Sequence, residues 1–247
     1  MKISYLLPHK IIILVLFLIL SGCSNKNITI SEIKDPFENI NRKIFNFNKL
    51  VDEKVISPIS ASYKKITPPS TRKAIINHID WLGTPSTILN SSLQVDFKNS
   101  ILASAKFLLN GLTLGFYDLD NADTAIKDKD FGSTLAKINV PEGPFLVVPL
   151  IGPKTTRDFA GTILDTNIMS NISSQDLNNL KLIEIPLDTI ETRAKLSKTI
   201  DNIYESADPY IKLRSFYTQN RRKIVYGDEY SDLKNKKEDE EFEKLLE

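Results

Sequence analysis

Asp35-Pro36-Phe37-Glu38-Asn39-Ile40-Asn41-Arg42, continued by Phe45-Asn46-Phe47-Asn48, sets the architecture of this chain. Asp35 offers an acceptor side chain as a helix N-cap, and Pro36 suits the first helical position. Phe37, Ile40, Ile44, Phe47, Val51 and Val55 then recur at spacings of three and four, which predicts one apolar helical face. Phe45 lies off that stripe, so the segment is apolar on more than one side. A helix of this kind is either deeply buried or faces two apolar environments, protein and lipid. Pro58 is expected to kink or end it.

The chain beyond Pro58 reads as further helices. Thr67-Pro68-Pro69-Ser70 is a break. A second helix is expected from about Ser70 to Leu82, with Ala74, Ile75, Ile79 and Leu82 inward and Gly83 as its end. Pro85 to Gln94 reads as a short helical turn. Asp96 to Leu109 predicts a third helix with Phe97, Ile101, Ala105 and Leu108 on one face, closed by Asn110-Gly111. Asp118, Asp120, Asp123, Asp128 and Asp130 then gather. A calcium loop fails on detail, because Asp123 and Lys129 stand where such a loop from Asp118 needs Gly and Glu. A solvated loop is the simpler reading, with Asp130 capping a short helix over 131–136.

The texture then changes. Residues 141–153 hold four prolines and two glycines around an apolar run. Proline excludes helix interior and central strand, so an extended apolar loop forming one hairpin edge is expected. It is either a membrane or pore-lining element or a strap across the core. Lys154 to Leu164 reads as a helix start capped by Thr155 or Thr156, and 166–180 as loop. Pro186 opens a long helix with Leu187, Ile190, Ala194, Leu196 or Ile200, and Ile203 as its stripe. Asp208-Pro209 opens the last one, where Tyr210, Leu213, Phe216 and Tyr217 pack. Lys212, Arg214, Arg221, Arg222 and Lys223 form a basic side that suits anionic headgroups. The end of the chain is charge-dense and reads as a loose tail.

Upstream, Lys2 and Lys10 precede an apolar run of about ten residues, the length of a signal-peptide core rather than of a spanning helix. It ends in Leu20-Ser21-Gly22-Cys23, which resembles the lipobox of bacterial lipoproteins. That resemblance implies cleavage before Cys23 and lipidation of its thiol and new amine. Each buried methylene contributes about 0.8 kcal/mol, and several acyl chains hold a protein where one alone is marginal. Ser24, in place of Asp, favours the outer membrane.

Composition excludes several chemistries. The chain has 247 residues and a formal charge of +1. Loss of 1–22 removes two lysines and no acid, leaving −1, without the basic footprint of nucleic-acid binding. Cys23 is the one cysteine, and His9 and His78 are the two histidines. After processing only His78 remains, so a Cys-His pair or a His-rich zinc site is excluded within one chain. No Gly-x-Ser-x-Gly elbow occurs, and His78 reads as a half-buried helix histidine. No enzyme activity, cofactor or metal is expected.

Several further motifs follow the opening stretch in order. They are Asp130-Phe131-Gly132-Ser133-Thr134-Leu135, Gly143-Pro144-Phe145, Pro149-Leu150-Ile151-Gly152-Pro153, Arg157-Asp158, and Asp208-Pro209-Tyr210 with Arg214. Behind a lipobox, they resemble the MlaA/VacJ outer-membrane lipoprotein family over roughly Asp35 to Gly227. The resemblance implies a mainly α fold, a ring-like bundle of amphipathic helices lying in the membrane with one short extended or hairpin segment and a polar channel. It implies removal of mislocalised phospholipids from the outer leaflet, to preserve lipid asymmetry, and their delivery to a periplasmic lipid-carrier protein. The implied partners are phospholipids and a trimeric outer-membrane porin, with the protein lipid-anchored on the periplasmic side. The polar or gating candidates inside the motifs are Asn41, Asn46, Phe47, Asn48, Arg157 and Asp158.

The expected organisation is therefore a signal peptide over 1–22, a tether over 23–34, a helical domain over 35–227 and an acidic tail over 228–247. The reading from another class is a structural lipoprotein that scaffolds an envelope or porin complex without moving lipid.

Overall fold

The computed structural model describes residues 34–119, 126–172, 175–227 and Tyr230, with side chains outside 170–184. The signal peptide, Cys23, most of the tether, Asp120, Asp123 and nearly all of the tail lie outside the described residues. Within them the chain is mainly helical, with one two-stranded sheet.

Helix α1 (Glu38–Val51) runs through a π-helical turn (Asp52–Ile56) into α2 (Ser57–Ile66). The expected break at Pro58 is absent; Pro58 sits in the first turn of α2, where its missing N–H costs little. Asp35 is not the N-cap of α1, which starts at Glu38. It accepts instead from Asn41 Nδ2 (2.9 Å), Arg214 Nη1 (2.9 Å) and the Tyr210 hydroxyl.

Helix α3 (Pro69–Leu93) passes through both Gly83 and Pro85, which corrects the expected end and the separate turn. Proline at 85 removes one helical hydrogen bond, and packing against α4 (Phe97–Gly111) and α7 (Gln175–Lys195) carries the helix past it. Asp96 caps α4 by accepting from Asn99 N. Asp130 caps α5 (Phe131–Lys137) in a capping box with Ser133. Strands β1 (Phe145–Val148) and β2 (Gly152–Thr155) form the expected hairpin, in antiparallel register from Phe145–Thr155 to Val148–Gly152.

Helix α6 (Thr156–Ile172) begins after β2 has taken Lys154 and Thr155. The expected loop over 166–180 is largely helical, since α6 reaches Ile172 and α7 starts at Gln175. Pro186 lies inside α7 rather than at its first turn. The long helix expected beyond it is divided at Leu196, and α8 (Ser197–Tyr204) follows. Asp208 caps α9 (Pro209–Tyr226) as expected, accepting from Ile211 N.

The helical stripes of the first and third expected helices are present, and much of their apolar surface faces outward. Along α1, its N-cap and the π turn, Phe37, Ile40, Phe47 (49% exposed) and Val55 face outward, while Asn41 and Phe45 are buried. In α4, Ile101 (67% exposed), Leu108 and Phe97 face outward, while Asn99, Ser100 and Ala103 are buried. The periodicity is as expected; most of what it marks lies outside, while Ile44 of the α1 stripe packs against the core. No helix among the described residues is long and apolar enough to cross a membrane.

Two kinds of interior result. One is a small aromatic core of Phe45, Phe145, Val147 and Tyr210, flanked by Ile44, Tyr204, Leu213 and Tyr217. The other is a polar seam between α3, α4, α5 and α6. There Asp165 accepts from Ser86 Oγ (2.9 Å), Asn90 Nδ2 (2.9 Å) and Phe131 N (2.8 Å). Asn90 Oδ1 accepts from Thr134 Oγ1 (2.7 Å), and Gln94 donates to Ser133 and Thr134. Where α5 meets α6 the backbones touch. A Cβ on Gly161 would stand 2.7 Å from Gly132 Cα, so only glycine allows this crossing.

Candidate functional site

The hairpin is fixed to α1 by two asparagines. Asn41 Oδ1 accepts from Val147 N (2.9 Å), and its Nδ2 donates to Phe145 O (3.0 Å). Asn48 Oδ1 accepts from Leu150 N (2.8 Å), and its Nδ2 donates to Val148 O (3.0 Å). Seven residues on a helix rise about 10 Å. Three residues along a strand cover about the same distance. The two amides thus meet successive backbone sites from Phe145 to Leu150. This bond set leaves the turn at Pro149-Leu150-Ile151 rooted at its base, with Leu150 and Ile151 exposed.

Below the hairpin lies a charged cluster built from four elements. Arg221 on α9 donates to Asp130 (2.7 and 2.9 Å) and to Asp158 Oδ1 (2.9 Å). Tyr217 Oη donates to Asp158 Oδ2 (2.7 Å) and accepts from Thr155 N (3.3 Å). Arg157 donates from Nη1 to Val140 O (3.2 Å), and its Nε stands 3.6 Å from Asp158 Oδ1. Burial alone pushes the Asp158 carboxyl up; the hydrogen bond and charge of Arg221, with Tyr217, outweigh it and hold the group below its ordinary range. Asp130 is lowered by the same balance. Burial first, and Asp158 second, push the Tyr217 hydroxyl up. Burial lowers the Lys154 ammonium, and Arg221 adds to that.

Other polar clamps tie the outer helices together. Arg72 on α3 pairs with Glu191 on α7, and Ser60 Oγ donates to Ile190 O (3.0 Å). Arg193 on α7 binds Asp52 of the π turn (2.9 Å) and Asp201 of α8 (2.8 Å). Arg42 on α1 holds Asp208 (2.8 Å). The expected basic side of α9 is corrected: Arg214, Arg221 and Arg222 spend their charge on Asp35, Asp130, Asp158 and Glu142 within the fold.

The sequence candidates separate into three places. Asn41 and Asn48 hold the hairpin. Arg157 and Asp158 are buried in the charged cluster. Asn46 and Phe47 are exposed on α1. Asp130, Tyr217 and Arg221 were not among the candidates. Asp130 signals itself only as a cap, and its second partner is 91 residues away. The Asp165, Ser86 and Asn90 network likewise carries no local signal. His78 is half-buried, with Nδ1 2.5 Å from Leu114 O and its ring stacked on Phe116. Asp118 pairs with Lys106 (3.1 Å) and accepts from Asn110 (3.1 Å).

Apolar helix faces turned outward around hydrogen-bonded polar seams define a class: a mainly helical protein that presents apolar surface to a membrane or a protein partner. Comparison with known proteins narrows it. The chain belongs to the MlaA lipoprotein family, whose family model matches residues 33–224. It is 29% identical over 224 residues to the intermembrane phospholipid transport system lipoprotein MlaA of Escherichia coli (strain K12), covering 88% of each chain. It is 26% identical over 210 residues to the protein of that name from Haemophilus influenzae, covering 81% of this chain and 84% of the other. A protein of Rickettsia conorii is 30% identical over 200 residues, with 79% of each covered. A solved structure described as a structural basis for maintenance of bacterial outer membrane lipid asymmetry matches with a TM-score of 0.66 at 29% identity. That match covers 78% of this chain and 99% of the other.

Proposed function

We propose that this protein removes mislocalised phospholipid from the outer leaflet of the outer membrane and hands it to a periplasmic lipid carrier. Cys23 is its lipid anchor, on the periplasmic side, and a trimeric porin is its membrane partner. In this reading residues 35–227 form a ring of helices lying in the membrane, behind a signal peptide (1–22) and tether (23–34) and ahead of an acidic tail (228–247). The reading rests on one observation above the others: in a member of the MlaA lipoprotein family, the apolar stripes of α1 and α4 face outward while Asn41, Asn99 and Ser100 face inward. Water outside would favour the reverse.

The candidate residues take separate parts. Asn46 and Phe47, exposed beside the hairpin anchor, meet the lipid or porin. Asn41 and Asn48 set the position of the hairpin flanking the lipid path, and Arg157 and Asp158 stiffen its root. The protein carries lipid as a conduit, with no bond made or broken.

The test is expression in a Gram-negative strain lacking its own family member, with its native carrier and porin supplied, followed by an assay of phospholipid exposed at the cell surface. Surface phospholipid is expected to fall with the wild type and to stay high with Cys23→Ala. A well-expressed, correctly sorted wild type that leaves it unchanged supports the scaffold reading instead.

A further inference from the structure

Lys154 stands on β2 directly before Thr155, whose N–H meets Tyr217 of the charged cluster, but its own ammonium takes no part in the cluster's bonds. It lies on β2 opposite Leu146 and is half-buried, and its ammonium forms no ion pair or hydrogen bond among the described residues. Its charged surroundings are Arg221, Asp158 and Asp130, and both carboxylates are already held by Arg221. Arg157, whose Nε stands 3.6 Å from the same Asp158 Oδ1 that Arg221 binds, is buried with Nε and Nη2 lacking hydrogen-bond acceptors, as is Arg221 Nε. Three cations thus share two carboxylates. The Arg222 and Glu142 pair beside them is balanced and does not offset the excess.

A half-buried ammonium next to a guanidinium is costly unless an anion joins it. The position of this one points to the kind of anion. From Lys154 the strand leads to the exposed Leu150 and Ile151 at the hairpin tip, about 10 Å away at strand rise. Positive charge at the root and exposed apolar side chains at the tip match a molecule with a phosphate at one end and acyl chains beyond it. Lysine also suits passage: it engages phosphate as a mobile point charge, without the rigid two-pronged grip of arginine. A conduit must bind well enough to admit its cargo and weakly enough to release it.

We infer that Lys154 is an anion-binding point that takes the phosphate of a phospholipid headgroup while the acyl chains lie along the Leu150-Ile151 tip. This deepens the proposed function and rests on it. The shared chemistry is a phosphate dianion or diester, so free phosphate is the competing source.

The test uses the full lipidated chain in mild detergent. Binding of a fluorescent phosphatidylglycerol is compared with that of diacylglycerol carrying the same label, with inorganic phosphate as competitor. Lys154→Gln is expected to weaken phosphatidylglycerol about tenfold, the scale of one charged hydrogen bond, and to leave diacylglycerol unchanged. Lys154→Arg is expected to retain binding of phosphatidylglycerol and slow its release. Inorganic phosphate at millimolar concentration is expected not to compete; competition lost in Lys154→Gln would reassign the point to free anion and overturn the lipid assignment. Equal phosphatidylglycerol binding by the wild type and Lys154→Gln overturns the inference and leaves lipid transport standing. A wild type that binds neither labelled lipid overturns both. Thermal unfolding of Lys154→Gln at the wild-type temperature shows that the loss is not one of folding.

Discussion

At the joint of α1, the hairpin and α9, four apolar side chains close over one another and hydrogen bonds sit at the edge. Phe145 and Tyr210 are essentially inaccessible, and Phe45 meets Tyr210 edge-on at 6.0 Å. At the seam of α3, α4, α5 and α6 the pattern is reversed. Thr87, Asn90, Ser91, Asn99, Ser133 and Thr134 are buried, while Ile101 and Leu108 of the same helices look outward. The first region can be held together by expulsion of apolar surface from water. The second gains little that way if lipid lies outside, because burial in protein is then no better than burial in acyl chains. It has to be held by hydrogen bonds and close packing, which are what it contains.

That contrast is broken most directly by matched substitutions, one in each region, in the full chain in mild detergent. Phe145→Ala removes the best-buried ring of the joint and is expected to cost about 3–5 kcal/mol in a urea unfolding series. Asn90→Leu replaces a fully buried amide that bonds Asp165 and Thr134, and takes one hydrogen bond from each. Its expected cost is about 2 kcal/mol, despite the added apolar volume. A stabilised Asn90→Leu would show that the seam is an ordinary core in disguise.

The charged cluster between the two regions sharpens the comparison through pH. Asp158 and Asp130 have folded pKa values below their unfolded ones, near 4. Their contribution is therefore fully present above about pH 4 and is lost as pH falls through the folded values. Asp52 acts in the opposite sense: burial raises its carboxyl more than Arg193 lowers it, so acidification favours its folded form. Asp158→Asn is expected to lose about 2 kcal/mol at neutral pH, because Arg221 then keeps Asp130 alone. Its stability should also fall less steeply below pH 4 than that of the wild type, measured by denaturant midpoints from pH 3 to pH 7. An unchanged acid slope would remove Asp158 from the coupling.

The sequence made local features legible and left long-range ones hidden. Asp130 and Asp208 each cap the helix expected of them, because a cap is written within three residues, and Asp96, expected as the first residue of its helix, caps it. The hairpin was readable from proline and glycine placed around an apolar run. The outward sense of the stripes was not, since periodicity gives a face but not the solvent that face meets. Gly83 failed as a stop signal, and Pro85 and Pro186 as start signals, because tertiary packing overrides a propensity cost of about 1–3 kcal/mol. Asn41 and Asn48 stand out in the sequence as polar residues in an apolar segment. Their partners do not, since the Asn41 bond to Val147 spans 106 residues. Arg221 is equally mute: on the helix it is one basic residue among several, and Asp158 reaches it only through the fold.

The smallest expected effect sits at the hairpin tip, where the two regimes meet in one residue. Leu150 has φ of 62°, a left-handed conformation that costs a non-glycine residue about 1 kcal/mol. Its backbone N–H is held by Asn48, so the conformation is imposed from α1 rather than chosen by the turn. The side chain is 67% exposed and contributes little to the joint. In detergent-solubilised protein, Leu150→Gly should therefore relieve the strain and raise stability, by an amount that added unfolded-state freedom keeps below about 1 kcal/mol. Binding to phospholipid vesicles should move the other way, since an exposed leucine entering lipid contributes roughly 1.5 kcal/mol or more. Stability and membrane affinity changing in opposite directions would mean that the strain at Leu150 is kept for what its side chain does outside the protein. Both falling together would place Leu150 in the joint itself.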